Sequence, residues 1–183
     1  MKVGRPGEPL RVVLIGPEST GKTRLARELA THYAVPWSPE HARQYVEIHD
    51  GSLGYADVDA IGQGQKTGED VAVARAAQRG VPMVVLDTDL VSTMVYSRHY
   101  YGECPEWIER EARARLGDLY LLHHADVDWV ADGRQREQPR RRDELLERFR
   151  AALQDLGVPA CDVRGSWDER KRRAIDAVDR LLA

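Results

Sequence analysis

The chain has 183 residues, 42% of them hydrophobic and 31% charged, with a formal net charge of -3. That length is one ordinary domain, able to bury a core without disulfides or structural metal, and the balance excludes a disordered chain. The slight acidity gives no reason to expect nucleic acid as a partner, and no apolar run approaches the roughly 20 residues of a membrane span.

Residues 1–9 read as a flexible extension, and residues 10–183 as a single domain without repeat or linker. The extension lacks the apolar stretch of a signal peptide, so the expected location is the cytoplasm. Residues 11–15 are a β-branched apolar run ending at Gly16, the pattern of a buried strand. A helix follows over 22–33, with Leu25, Ala26, Leu29, Ala30 and Tyr33 at helical spacing. Residues 35–38 predict a short second strand, Pro39 a turn into a helix over 41–48, and the glycine-rich stretch 50–55 a loop. Residues 57–79 predict a long helix with Gly80 as its C-terminal cap.

Residues 81–86 are the strongest strand, continuously apolar apart from Pro82 and closed by Asp87, which implies burial on both faces. Helices over 90–100 and 105–116 lead to a fourth strand over 119–122. An arginine-rich segment of little periodicity over 126–142 precedes a helix over 143–156, a fifth strand over 158–163 and a closing helix over 167–182. This alternation predicts an α/β fold, a three-layer sandwich of about five parallel strands with helices on both faces.

Gly16-Pro17-Glu18-Ser19-Thr20-Gly21-Lys22-Thr23 satisfies G-x-x-x-x-G-K-[ST] at every constrained position, between a strand and a helix. Such a P-loop curls so that backbone N–H groups, from Glu18 to Thr23 here, point at phosphate oxygens beside a helix N-terminus. Lys22 is placed to bridge the β and γ phosphates and the Thr23 hydroxyl to ligate Mg2+. All but four of the 27 basic residues are arginine, so a lysine at this position is informative. Nucleotide-bound magnesium also needs a carboxylate at the end of a neighbouring strand, which Asp87 supplies. No guanine-reading motif is present, and ATP is the expected donor. Gly62, Gly64 and Gly68 lack a preceding strand and the spacing of a dinucleotide fingerprint. Cys104 and Cys161 are too few for a zinc site or a disulfide framework and read as packing.

Several further segments resemble the ribosylnicotinamide kinase domain of the NadR family. The loop itself, Glu40-His41-Ala42-Arg43-Gln44-Tyr45-Val46, Gln65, Asp87-Thr88-Asp89, Tyr101-Gly102 with Pro105, and Trp129 with Asp132-Gly133 occur in that family's order, over about residues 10–182. The resemblance implies an ATP-dependent kinase of nicotinamide riboside that makes nicotinamide mononucleotide. The family usually has an arginine two residues after the Asp-Gly pair; Gln135 stands there, leaving Arg134 and Arg136 on either side. Larger family members also carry an adenylyltransferase domain with a His-x-Gly-His motif, which is not found in this sequence, so adenylylation would fall to another enzyme.

Phosphoryl transfer needs positioning, charge neutralisation and a carboxylate that takes the acceptor's proton. Glu40 follows the second strand and is the chosen base, with capping of the next helix as its alternative role. Asp89 is the rival base or a ribose ligand. Arg43, one turn beyond Glu40, is placed to contact phosphate or to fix Glu40, with a solvated surface arginine as the alternative. Arg134, Arg136, Arg140, Arg141 and Arg142 lie where related kinases have a lid, and one or two of them are expected to clamp the transferring group. Tyr96, Tyr100, Tyr101, Trp107 and Trp129 are the aromatic candidates for a cationic ring. Two other readings stay open: a kinase of a different nucleoside or hydroxylated small molecule, and an NTPase switch without such an acceptor.

Overall fold

The structure is a computed structural model that describes residues 7–49, 53–126 and 141–183. Most of the expected N-terminal extension, Trp129, Arg134, Arg136 and Arg140 lie outside the described residues.

Five strands form one sheet: β1 (Leu10–Ile15), β2 (Trp37–Ser38), β3 (Met83–Asp87), β4 (Leu119–His123) and β5 (Ala160–Val163), in the order β2-β3-β1-β4-β5. Every pairing is parallel, as the alternation predicts. The helices are α1 (Lys22–His32), α2 (His41–His49), α3 (Val58–Arg79), α4 (Leu90–Tyr101), α5 (Glu106–Ala114), α6 (Arg142–Leu156) and α7 (Trp167–Leu182).

Alternate strand residues feed two separate cores, because successive side chains in a strand leave opposite faces. Val13, Ile15, Val84, Leu86, Tyr120 and Leu122 pack with apolar residues of α3, α4, α5 and α6. Val12, Leu14, Met83, Val85, Leu119, Leu121 and Val163 pack with α1 and α7. The fold is therefore the three-layer α/β sandwich expected from continuous apolar runs.

The boundaries move where proline withholds an N–H. β3 starts at Met83 rather than at residue 81, since the Val81 N–H is bonded to Ala76 O (3.1 Å) in the αL cap at Gly80, and Pro82 has no N–H for the ladder. β2 shrinks to two residues at the sheet edge between Pro36 and Pro39. The three glycines of α3 serve close packing: a Cβ at Gly64 would lie 2.0 Å from the His41 ring, and one at Gly68 2.9 Å from Ser38 Oγ. Gly64 and Gly68 bring α3 against the start of α2 and the end of β2, and Gly62 brings it against Ile108 of α5. Among the described residues, no helix is long and apolar enough to cross a membrane.

Candidate functional site

With every strand parallel, the loops beyond their C-terminal ends share one crevice. The loop after β1 curls through positive φ at Gly16 (132), Ser19 (55) and Gly21 (84), the backbone twist that turns successive N–H groups inward. Glycine is required at Gly16 twice over: besides its φ, a Cβ there would lie 2.5 Å from the His123 carbonyl oxygen. Lys22 is buried and its Nζ donates to the carbonyls of Gly16 (2.9 Å) and Pro17 (2.7 Å). The ammonium thus sits inside the loop, and Thr20 Oγ1 closes the turn onto Pro17 O (2.9 Å).

Asp87 ends β3 beside this loop and is fully buried. Among the described residues neither carboxylate oxygen has a hydrogen-bond partner, although Thr23 lies close enough to favour the charged form. Burial pushes its pKa up; Thr23, Lys22, Arg43 and Arg27 oppose that rise. Two buried, unpaired anionic oxygens next to a hydroxyl suit a hard cation with oxygen ligands. Residues 23 and 87 therefore fit the magnesium ion that the motif implies.

Glu40 lies between β2 and α2, half-buried. Its pKa is raised by burial and by Asp87 and Glu18, against Lys22 and Arg43, so four charged groups of the crevice act on this one carboxyl. Glu40 and Glu18 also line a cavity of about 90 Å³ between α2, α3 and α4, together with Gln65, Thr88, Ser92 and three tyrosines. These are Tyr96, Tyr100 and Tyr101; the Tyr96 and Tyr100 rings lie parallel within 8° at a centroid distance of 6.0 Å. Tyr96 also donates to Gly16 O (3.3 Å), tying the cavity wall to the phosphate loop. Trp107 instead donates to Asp59 (2.6 Å) and does not line the cavity. Arg43 is exposed on α2 and acts on both Glu40 and Asp87.

Asp89, read from the sequence as the rival base or a ribose ligand, is engaged by bonds within the chain. Its Oδ1 caps α4 by accepting from the N–H groups of Val91 (3.0 Å) and Ser92 (3.2 Å), and its Oδ2 accepts from the Tyr120 hydroxyl (2.7 Å). Both oxygens are occupied and the residue does not line the cavity. Burial pushes its pKa from 3.8 up to about 6 despite those bonds. A carboxyl whose folded pKa is raised contributes stability below its unfolded pKa and loses it as pH climbs through the folded one. Asp89→Asn keeps a competent cap and removes this titration. Its stability relative to wild type is expected to improve by on the order of 2 kcal/mol between about pH 4 and pH 7, read by chemical denaturation, with turnover little changed.

Two residues of this site escaped the sequence reading. His123 ends β4 fully buried, its Nδ1 3.1 Å from Thr20 O, and burial drives its pKa down to about 3, which keeps the ring neutral under the loop. Arg170, also fully buried, donates to Thr20 O (3.3 Å), His124 O (3.2 Å) and Gly165 O (2.9 Å) and pairs with Asp126. Trp167 lies against Gly21, with the Arg24 guanidinium 3.9 Å from its ring centre. Of the five lid arginines, Arg141 and Arg142 fall within the described residues; Arg142 is buried at the head of α6.

No curated protein matches the chain. Among solved structures, NadR protein in complex with NR aligns with a TM-score of 0.78 at 27% identity, over 94% of this chain and 51% of that one. NadR in complex with NAD and AMP-PNP gives 0.75 at 26% identity, over 94% and 49%. The chain thus spans about half the length of the NadR chains it matches, and the resemblance to NadR read from the sequence is borne out. Thymidylate kinase from Ehrlichia chaffeensis aligns at a TM-score of 0.63 with 13% identity, over 96% of this chain and all of that one, a likeness of fold alone. The model of the AAA domain family matches residues 11–170, from the first strand through the loop to the arginine that pins it, and the chain belongs to that family.

Proposed function

We propose that this protein is an ATP-dependent kinase that transfers the γ-phosphate to the 5′-hydroxyl of nicotinamide riboside. The observation that carries the reading is the cavity beside the phosphate loop, lined by the acidic residues Glu40 and Glu18 together with three tyrosines. A cationic pyridinium ring is favoured by aromatic faces and by nearby negative charge. The likeness to NadR bound to NR over nearly the whole chain supports the same acceptor, and the likeness to NadR with AMP-PNP supports ATP as donor.

In this reading the loop N–H groups hold the phosphates and Lys22 neutralises the β and γ oxygens. Thr23 and Asp87 would hold magnesium, which supplies charge neutralisation at the phosphates when bound. Glu40 accepts the proton of the attacking 5′-hydroxyl; its raised pKa makes it a stronger base than an ordinary carboxylate. Arg43 steadies that charge from α2. The resemblance read from the sequence gives Arg134 or Arg136 the clamping of the transferring group and Trp129 a part in binding the acceptor, all three outside the described residues. Asp89 holds α4 in place rather than touching substrate.

Incubation with labelled ATP and a panel of nucleosides tests the proposal. Phosphate appears on nicotinamide riboside in preference to cytidine, uridine, adenosine and their deoxy forms. Hydrolysis of ATP indifferent to every acceptor, or preferred transfer to another nucleoside, overturns it. Asp87→Asn should lower turnover by roughly 100-fold and raise the magnesium concentration needed for half-maximal rate. Unchanged metal dependence would place the cation elsewhere.

A further inference from the structure

Four polar side chains in the cavity wall are buried, Gln65, Thr88, Ser92 and Ser97, and three of them differ plainly in what they bond. The Gln65 amide is engaged at both ends, accepting from His41 N–H (3.1 Å) and donating to Thr88 O (3.2 Å). Ser97 Oγ donates to Glu103 O (2.6 Å). Ser92, only 4% exposed, lines the same cavity, yet among the described residues its Oγ has no hydrogen-bond partner. Leaving a buried hydroxyl unpaired is unfavourable, and serine is a poorer helix former than alanine. Nothing among the described residues bonds this hydroxyl, and a hydroxyl on a bound acceptor would.

Its place along α4 says which part of an acceptor it meets. Ser92, Tyr96 and Tyr100 are four residues apart and share one helix face, each about 6 Å further along the axis. Ser92 is at the end next to Asp87, where the phosphoryl group arrives, and the parallel tyrosine rings lie beyond it. A nucleoside laid along this face with its reacting hydroxyl near Glu40 sets its sugar beside Ser92 and its base against the tyrosines.

We infer that the Ser92 hydroxyl pairs with a secondary hydroxyl of the acceptor's sugar and makes the site selective for ribonucleosides over deoxynucleosides. This rests on the cavity being the acceptor site, and does not require nicotinamide to be the base. A site built to bond a hydroxyl rejects the analogue that lacks it, because its own polar group is then left unpaired.

The test compares kcat/KM for whichever ribonucleoside in the panel is phosphorylated best with its 2′-deoxy and 3′-deoxy counterparts, in wild type and Ser92→Ala. Wild type should prefer the ribonucleoside to one counterpart by about tenfold or more, and the variant should bring that ratio to within about twofold, chiefly through a higher ribonucleoside KM. The ligand-free variant should melt at or above the wild-type temperature, since it loses an unpaired hydroxyl. Ser92→Cys, which nearly keeps the volume, should show the same collapse of preference. A wild-type ratio retained in both variants, or a wild-type enzyme that prefers the deoxy forms, overturns the inference. If the best acceptor is a different ribonucleoside and the ratio still collapses, this inference stands while the nicotinamide riboside assignment falls.

Discussion

Replacing Lys22 by alanine is expected to abolish phosphoryl transfer while leaving the fold intact. The ammonium is the positive charge lodged inside the phosphate loop, bonded to the carbonyls of Gly16 and Pro17. On the proposed reading it exchanges those carbonyls for β and γ phosphate oxygens. Removing one such contact to developing charge lowers turnover by roughly 100- to 1,000-fold. The apolar residues of α1 that enter the core, Leu25, Ala26 and Leu29, are untouched, so the far-ultraviolet circular dichroism spectrum should match wild type. ATP should no longer raise the melting temperature of the variant as it does for wild type. Turnover near the wild-type value would remove this loop from the reaction.

Glu40→Gln should reduce turnover by roughly 100-fold or more with little change in ATP affinity, because the amide keeps the size of the carboxyl but takes no proton. The pH profile carries a second signature. Burial and the neighbouring Asp87 and Glu18 carboxylates raise the Glu40 pKa, so wild-type activity should climb with pH until this group has ionised, and the variant should lack that limb. A helix-capping role predicts a different result, a changed substrate KM or a lower melting temperature with turnover kept. The His41 N–H at the head of α2 is already taken by Gln65 Oε1, which leaves less for Glu40 to do there. Near-normal turnover in the variant would end its assignment as base.

The layering of the fold was legible because buried parallel strands are continuous apolar runs, and residues 12–15, 83–87 and 119–123 are buried throughout. The loop and Asp87 were legible because their chemistry is local: a motif and a strand end. His123 and Arg170 were not, since their roles come from contacts with Thr20 across 103 and 150 residues of chain. The signal for Arg170 was faint but physical. It shares the buried stripe of α7 with Ala174, Ala177 and Val178, and a charge on an apolar stripe demands partners. His123 ends an otherwise apolar strand in the same way. The bonds of Asp89 were not legible either, since its two oxygens accept from the head of α4 and from Tyr120, 31 residues on.

The tie from Arg170 to the Thr20 carbonyl bears on how the protein is made. The loop motif is complete once Thr23 has left the ribosome, yet the guanidinium that bonds to it belongs to α7, far along the chain. Chains are synthesised N-terminus first, and a contact spanning 150 residues forms only when both its ends are available. During translation the nascent chain thus carries the whole phosphate-binding sequence without the brace that sets its backbone. On the proposed reading firm nucleotide binding should need α7, so a chain cut short before Trp167 should keep the motif and bind ATP weakly.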